Sequence, residues 1–307
     1  MNKFYLIAKM MAILFFIIIG CSEKKKSNDT KEVLSLNVGM IPITDCSQLF
    51  VAKEFGIFEN NGLDVKLIPV SGGSQILQAL AANEIDVAFS NLASIVFYEN
   101  NFEKLKNLNG GTLMNEEFSE GGLVCLDNGV INSIKDFKNK IIAVNSLNNI
   151  VHLAVVKILK KHGISLQDVT IVEMKFSDMN LALRSNRIDI ATLPEPLLTM
   201  SSGDGKLKNF GDYIVMAFGE NYVTGYYTTT LNFDKNTALY QKFNKSMNES
   251  TDLLNTFNDS VVNAISKYTK VSDRLIKSSG KPLFVKGVPE EALIGMKNWL
   301  NEESFIK

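Results

Sequence analysis

The chain has 307 residues, of which 46% are hydrophobic and 21% charged, with a formal net charge of −1 at pH 7. This composition supplies enough apolar material for one large domain or two lobes and argues against a disordered chain. The near-neutral balance, with only three arginines, also argues against a nucleic-acid-binding protein, which normally carries a basic surface.

The N-terminal segment differs from the rest of the chain. Lys3 and Lys9 precede an unbroken apolar run over Met10–Ile19, which is followed by Gly20. A positive start, a short apolar stretch and a small residue are typical of a secretory signal. The run is shorter than the roughly 20 residues that span a bilayer. We therefore predict that residues 1–20 are a signal peptide.

The end of this segment, IIIG followed by Cys21, resembles the bacterial lipobox. The resemblance implies that Cys21 is lipidated, becomes the mature N-terminus, and holds an exported protein on the membrane, facing the periplasm or the cell exterior. Ile19 departs from the Ala or Ser usual at that position, so an uncleaved anchor or an ordinary signal peptide is the alternative. Residues 22–32 contain no apolar side chain, as expected of a solvated tether spanning 21–32.

Strand-like and helix-like patterns then alternate. A Gly-rich turn, SGGS, precedes the second of the predicted helices. Strands separated by helices imply parallel pairing with right-handed crossovers. The predicted strands are Leu34–Met40, Leu63–Val70 and Ile85–Ser90, and the predicted helices are Gln48–Asn60 and Gln75–Ala82.

The same order recurs in the second half of the chain. Asn83–Ala88 and Asn186–Ala191 share the pattern Asn-x-Ile-Asp-apolar-Ala, and the helix before each has a matching Ala-Leu pair. Two equivalent α/β lobes explain this repeat better than chance does. The predicted strands are Ile141–Val144, Val169–Met174 and Ile188–Leu193, and the helices are Ile150–His162 and Asp178–Ser185.

Three β-rich segments, Gly121–Leu126, Tyr213–Phe218 and Tyr226–Leu231, lack the helices that would continue a parallel series. We predict strands that cross between the lobes. Residues 236–307 are helical in pattern, with a last helix opened by Pro289, and are expected to pack on the first lobe. The predicted division is 33–122 for the first lobe, 123–226 for the second, and 227–307 for the return to the first.

The run VAKE-x-G-x-F-x-x-x-GLDV-x-L, with the later segments KDFKNKIIAVNS and IDIATLPEP, resembles the nitrate/sulfonate/taurine group of periplasmic solute-binding proteins. That superfamily includes binders of thiamine pyrimidine precursors. The resemblance covers roughly residues 34–227. It implies the type II two-lobed fold with two hinge crossings, a small-molecule ligand in the cleft, an ATP-driven (ABC) importer with permease and ATPase as partner, and a monomer without a cofactor.

Ligands of open parallel sheets sit beyond the carboxyl ends of the strands. The SGGS turn permits close backbone approach and opens a helix whose free N–H groups can hold an oxyanion; it also makes an ordinary helix cap. Glu195, between two prolines, can accept a hydrogen bond from a ligand amine, can pair across the hinge, or can be a solvated acid of the turn. The candidate ligand-binding residues are Thr44, Asp45, Ser71, Gly72, Gly73, Ser74, Ser90, Asn91, Asn145, Ser146, Glu195 and, as a stacking aromatic, Tyr226.

The charge of these loops bears on the ligand. None contains Lys or Arg, whereas Asp45 and Glu195 are acidic. A doubly charged anion would be repelled there, which favours a neutral or zwitterionic ligand over a nitrate- or sulfate-like one.

Two other functions remain open. An enzyme of the pyrimidine-synthesis or menaquinone-pathway type would need positioned acid–base or nucleophilic groups, but His152 and His162 share one helix pattern away from the loops. A sensor or surface lipoprotein on the same fold is the other. No Cys/His cluster has metal-ligand spacing, and Cys46 and Cys125 can be paired or be separate buried thiols.

Overall fold

The protein is described by a computed structural model that covers residues 33–119 and 121–306. The predicted signal peptide, the tether and Cys21 lie outside the described residues. Within the covered ranges, none of the helices combines the length and the hydropathy needed to cross a bilayer.

The first part of the chain alternates strands and helices as the periodicity predicts. One prediction was wrong, because Gln48–Asn60 is not a single helix: Gly56 adopts a positive φ of 66° and separates two helices. Glycine takes this left-handed conformation at little steric cost. The elements are β1 (Leu34–Met40), α1 (Ser47–Glu54), α2 (Ile57–Asn60), β2 (Leu63–Pro69), α3 (Gly73–Ala81), β3 (Val87–Asn91), α4 (Leu92–Asn101), β4 (Leu105–Gly110) and β5 (Thr112–Met114).

The second part repeats this order in a separate sheet. Its elements are β6 (Gly121–Leu126), β7 (Ile141–Val144), α5 (Ile150–Lys161), β8 (Thr170–Glu173), α6 (Phe176–Arg184), β9 (Ile190–Pro194), α7 (Leu197–Ser202), β10 (Leu207–Asn209) and α8 (Tyr213–Phe218). Short 3-10 turns cover Thr44–Cys46, Ile134–Phe137 and Leu166–Asp168.

The helix α8 corrects the prediction of a strand at Tyr213–Phe218. The carboxylate of Asp212 accepts hydrogen bonds from the backbone N–H groups of Ile214 and Val215, at 2.7 and 3.1 Å. This N-cap satisfies donors that a helix start leaves free, and it outweighs the strand preference of the β-branched residues in the segment.

The two five-stranded sheets share one topology. In the first, β1 pairs in parallel with β2 and β3, and in the second, β7 pairs in parallel with β8 and β9. Each sheet also contains an antiparallel strand next to these parallel ones. In the first sheet β12 (Thr224–Thr229) pairs with β3, and in the second sheet β6 pairs with β9. The chain thus leaves the first sheet before β6 and re-enters it at β12. We call each sheet with its packed helices a lobe.

A small antiparallel sheet joins β5 to β11 (Asn221–Tyr222) and β13 (Leu283–Phe284). In this sheet, β5 is the strand just before the chain enters the second lobe, and β11 is the strand just after the chain leaves it. The two crossings and the C-terminal segment are therefore hydrogen-bonded to one another.

The repeated Asn-x-Ile-Asp pattern makes the same connection in both lobes. Asn83 and Asn186 follow their helices with φ angles of 56° and 53°, in the left-handed region where Asn is enriched. Three residues on, Asp86 and Asp189 each accept a hydrogen bond, at 2.7 and 2.8 Å, from a backbone N–H on the neighbouring strand. The pattern therefore links the start of β3 to β1 in the first sheet, and the start of β9 to β7 in the second.

The C-terminal segment is helical, as predicted: α9 (Thr230–Lys235), α10 (Thr237–Leu254), α11 (Asp259–Thr269), α12 (Asp273–Ser278) and α13 (Glu290–Glu302). The helices α10 and α11 pack on α1, and α13 packs on α4. The helix α12 contacts α7 of the second lobe.

Candidate functional site

A cavity of about 50 Å³ lies between the lobes, where β1, β3 and β9 end. It is several times larger than the space that one water molecule requires. Most of its wall is apolar and comes from Ile, Val, Phe, Met, Pro and Tyr side chains. The remaining lining residues are Asp45, Gly73, Ser90, Asn91, Asn145, Asn149 and Thr224.

Asp45 is a buried carboxylate in this wall, with 3% of its surface exposed. Its Oδ2 accepts a hydrogen bond of 3.2 Å from the Thr112 hydroxyl. The Thr112 and Thr224 hydroxyl oxygens are 2.8 Å apart, and Thr224 Oγ1 accepts from the backbone N–H of Thr112 at 3.0 Å. Both threonines belong to the strands that cross between the lobes, so the crossings hold Asp45 in position.

Asn91 joins the lobes at the cavity. Its Oδ1 caps α4 by accepting from the backbone N–H of Ser94 at 3.0 Å, and it also accepts from the N–H of Ile150, at the start of α5 in the second lobe, at 3.2 Å. Asn149 caps α5 and donates from Nδ2 to Asn145 Oδ1 at 2.8 Å. The starts of α4 and α5 are thus capped by asparagine oxygens, whereas α3, which begins at Gly73 in the cavity wall, has no side-chain cap.

Two further hydrogen bonds hold the cleft closed outside the cavity. Ser146 Oγ donates to Ser74 Oγ at 3.3 Å, and Gln75 Nε2 donates to Glu173 Oε1 at 3.2 Å. Ser74 and Ser146 line an outer groove of about 490 Å³ rather than the cavity. These side chains therefore connect the two lobes outside the cavity, and the cavity remains as a narrow space between the lobes.

The double glycine brings the lobes together. A Cβ on Gly72 would lie 3.1 Å from Asn145 Nδ2 and 3.2 Å from the Ser146 Cβ, both in the second lobe. A Cβ on Gly73 would lie 2.8 Å from Ser90 Oγ and 2.9 Å from Asn91 Nδ2, both in the cavity wall. Only the absence of side chains allows these approaches.

The structure gathers only part of the predicted ligand set at the cavity, namely Asp45, Gly73, Ser90, Asn91 and Asn145. Ser71 lines a separate surface cavity of about 300 Å³. Thr44 donates its backbone N–H to the Glu195 carbonyl at 3.1 Å. Tyr226 does not line the cavity but lies behind its wall, with its ring 5.6 Å from that of Phe89.

Glu195 is buried and directed away from the cavity. Its carboxylate accepts from the backbone N–H and the hydroxyl of Thr199, at 2.9 and 2.8 Å, and from the N–H of Gly280 at 3.2 Å. It therefore links the second lobe to the C-terminal segment. Burial raises the pKa of this carboxyl group, and the hydrogen bonds from Thr199 and Gly280 only partly oppose that effect.

This raised pKa predicts a pH dependence of stability. The folded state keeps the Glu195 proton to higher pH than the unfolded chain, so this residue's contribution to the free energy of unfolding is fully present below the ordinary glutamate pKa of about 4.3 and falls as pH rises through the folded pKa. The stability difference between the wild type and Glu195→Gln should therefore decline on going from pH 4 to neutrality in urea unfolding. Exposed Glu116→Gln is the control, and a difference that grows with pH would contradict the prediction.

A profile described as "NMT1/THI5 like" matches residues 43–255, more than two thirds of the chain and including both lobes. The chain belongs to the NMT1/THI5-like family.

A Bacillus subtilis (strain 168) relative, described as an aliphatic sulfonates-binding protein, is 23% identical over 197 residues, which cover 63% of this chain and 58% of the relative. A Brachyspira hyodysenteriae (strain ATCC 49526 / WA1) relative, described as an ABC transporter periplasmic binding protein, is 24% identical over 216 residues, or 65% and 60% of the two chains. The matched region thus spans less than two thirds of either relative.

Among solved structures, the alkanesulfonate-binding protein of Xanthomonas axonopodis pv. citri bound to MOPS superposes with a TM-score of 0.77. The identity is 14%, and the superposition covers 90% of this chain and 95% of the other. This likeness shows the fold: an α/β periplasmic-binding-protein architecture.

Within this NMT1/THI5-like chain, several cavity residues escaped the sequence analysis. Met114 and Thr224 come from the crossing strands, Val223 lies between β11 and β12, and Tyr213 and Ile214 come from the helix that was predicted as a strand. Asn149 lies close after the predicted candidates Asn145 and Ser146, and its position as the N-cap of α5 was the available signal.

The remaining reactive side chains lie elsewhere. Cys46 and Cys125 are both free and buried, so the open question of their pairing is answered by two separate thiols. His152 Nδ1 accepts from the backbone N–H of Asn148 at 3.1 Å. Within residues 33–119 and 121–306, no group of His, Cys, Asp and Glu side chains is arranged to hold a metal ion.

Proposed function

We propose that the protein is an exported, lipid-anchored solute-binding protein that captures a small organic molecule between its lobes and delivers it to an ABC importer. The observation that carries the proposal is the cavity itself. It lies at the carboxyl ends of parallel strands in two matching lobes, and hydrogen bonds between the lobes enclose it. Such a site releases its ligand only when the lobes separate.

The relatives support this reading. Both are described as binding proteins, one for aliphatic sulfonates and one as part of an ABC transporter. A binding role is proposed in preference to an enzymatic one on this basis. The polar segment after Cys21 supports a tethered protein outside the cytoplasm.

The function is tested with the soluble protein beginning at Ser22, purified without denaturation and analysed by native mass spectrometry. We expect a small molecule to stay bound and to be released on unfolding. Adding the released compound back should raise the melting temperature of ligand-stripped protein by mass action. A protein that retains no solute, together with unchanged uptake of candidate solutes in a deletion strain, would contradict the proposal.

The anchor is tested separately. The Cys21→Ser variant should lose incorporation of labelled palmitate and move from the membrane fraction to the soluble fraction, whereas Cys46→Ser should keep both properties. If Cys21→Ser remained labelled and membrane-bound, Cys21 would not be the lipid attachment site.

A further inference from the structure

A second contact between the lobes lies outside both the cavity and the outer groove. The helices α5 and α8 pack on each other in the second lobe, and α13 packs on α4 of the first lobe. Side chains from α5, α8 and α13 meet at Lys157, Phe218 and Trp299. Of the described residues that line the cavity or the outer groove, none belongs to this contact. Any effect of the contact on a ligand must therefore act through the positions of the lobes.

The ammonium group of Lys157 contacts two aromatic rings that belong to different lobes. Its Nζ lies 4.7 Å from the centroid of the Phe218 ring, in the second lobe, and 4.8 Å from that of the Trp299 ring, in the first. The two rings meet edge to face, with their centroids 5.1 Å apart. Lys157 is partly buried. Because a cation is attracted to ring faces more strongly when it is withdrawn from water, this contact favours the lobes being together.

Each half of the contact is fixed within its own lobe. In the second lobe, Lys161 Nζ donates to the carbonyl oxygens of Met216 and Ala217, at 2.7 and 3.1 Å, and so joins α5 to the end of α8. In the first lobe, α13 packs on α4 and its Leu300 side chain is fully buried. Since the rings are attached to different lobes, the contact must break when the lobes separate.

An ion pair lies beside the rings and joins the same elements. Lys160 Nζ of α5 is 2.6 Å from an oxygen of Glu303, the residue that follows α13. The lysine is exposed, so the pair contributes little by itself. It adds to the ring contact in the same direction, because it too exists only while the lobes are together. We call this set of side chains the latch: Lys157, Lys160, Phe218, Trp299 and Glu303.

We propose that the latch stabilises the closed arrangement of the lobes and thereby slows the release of a ligand held between them. Its members are positioning residues, since they act on the ligand only through the lobes. The latch contributes free energy to the closed state alone, so its loss lowers the closed population and with it the apparent affinity. The effect falls on the dissociation rate, because the open lobes admit ligand as before. This inference rests on the proposed function, since it assumes a ligand between the lobes.

The first measurement is the rate of release. The full chain is extracted in detergent, and the probe is the solute that copurifies with the native wild type, followed by rapid filtration and mass spectrometry. Lys157→Met removes the charge and keeps an unbranched side chain, and it should release the solute about 3- to 30-fold faster, the factor that a partly buried cation–π contact supplies. Lys157→Arg keeps a cation over the rings and should stay within about twofold of the wild type.

The second measurement needs no ligand. In protein stripped of solute, electron–electron resonance gives the distance between spin labels on exposed Leu181→Cys, in α6 of the second lobe, and Leu231→Cys, in α9 of the first. Lys157→Met should lower the ratio of closed to open populations about 3- to 30-fold. Lys208→Met is the matched control for both measurements. Its Nζ lies 5.6 Å from the Phe210 ring within the second lobe, so its loss should change neither the distances nor the release.

The proposal is overturned if folded Lys157→Met releases the solute at the wild-type rate or keeps the wild-type distances, or if Lys208→Met changes both as strongly. Should Lys157→Met fail to fold, Trp299→Phe, whose ring attracts a cation less, is held to the same two measurements. A retained solute with unchanged release and distances would leave the proposed function standing while the latch fails. If no solute is retained, the proposed function fails and the distances alone decide the latch.

Discussion

Replacing Gly73 with alanine is expected to weaken ligand binding by about 10- to 200-fold, the range found when one methylene is added or removed in a binding pocket. The new methyl group would start 2.8 Å from Ser90 Oγ and 2.9 Å from Asn91 Nδ2. Carbon atoms do not approach polar atoms this closely, so both side chains must move. Since both line a cavity of only about 50 Å³, that movement takes space and hydrogen-bond geometry from the ligand.

A matched control separates this effect from a general effect of Gly-to-Ala replacement. Gly295 lies within α13, and apart from its chain neighbours and the helix's own backbone nothing lies within 4 Å of the position its Cβ would take. Gly295→Ala should therefore bind ligand like the wild type and gain about 1 kcal/mol or less in stability. Both variants are measured by calorimetry with the solute that the native protein retains. If Gly73→Ala binds normally, the ligand site lies outside this cavity.

The neighbouring glycine, Gly72, allows the two lobes to come into close contact, because it has no side chain. Gly72 faces Asn145 and Ser146 of the second lobe, while Gly73 faces the cavity. The SGGS sequence pattern predicted close backbone approach and a helix N-terminus at this turn. The structure adds that adjacent glycines serve two different surfaces, one between the lobes and one in the binding space.

Periodicity and turn chemistry predicted most of the parallel sheets. The Asn-x-Ile-Asp repeat was informative because each position has a local role: Asn83 and Asn186 take a left-handed conformation, and the aspartates bind the next strand. The prediction fails where the strand preference of the residues conflicts with a helix cap before them. The segment Tyr213–Phe218 looks like a strand until the Asp212 cap is considered, and that cap makes it a helix.

The site was predictable only where it follows a strand end. Asp45, Ser90 and Asn145 each do so, and they line the cavity. Thr112 and Thr224 were missed because they meet across 112 positions of sequence, through a pairing that no local pattern encodes. Tyr226, also predicted as a ligand contact, lies behind the cavity wall: it is on the same face of β12 as Thr224 but two residues, or roughly 7 Å, further from the strand end.

Phe243→Ala should have the largest effect on stability, because this side chain attaches the C-terminal segment to the first lobe. It is fully buried on α10, with its ring stacked 5.9 Å from Phe58 and set edge-on 6.1 Å from Tyr226. Removing a buried aromatic ring typically costs about 3–5 kcal/mol. Total stabilities are about 5–15 kcal/mol, so the midpoint of urea unfolding should fall markedly.

Exposed Phe102, with 71% of its surface accessible, supplies the control, and Phe102→Ala should change stability by less than about 0.5 kcal/mol. The Phe243 ring also supports Tyr226, which in turn lies 5.6 Å from Phe89 in the cavity wall. Phe243→Ala should therefore weaken ligand binding at temperatures where the variant is still folded. A variant that loses stability yet binds normally would show that the cavity wall is held by the sheet alone; one that loses neither would show that the C-terminal helices do not anchor to the first lobe through this ring.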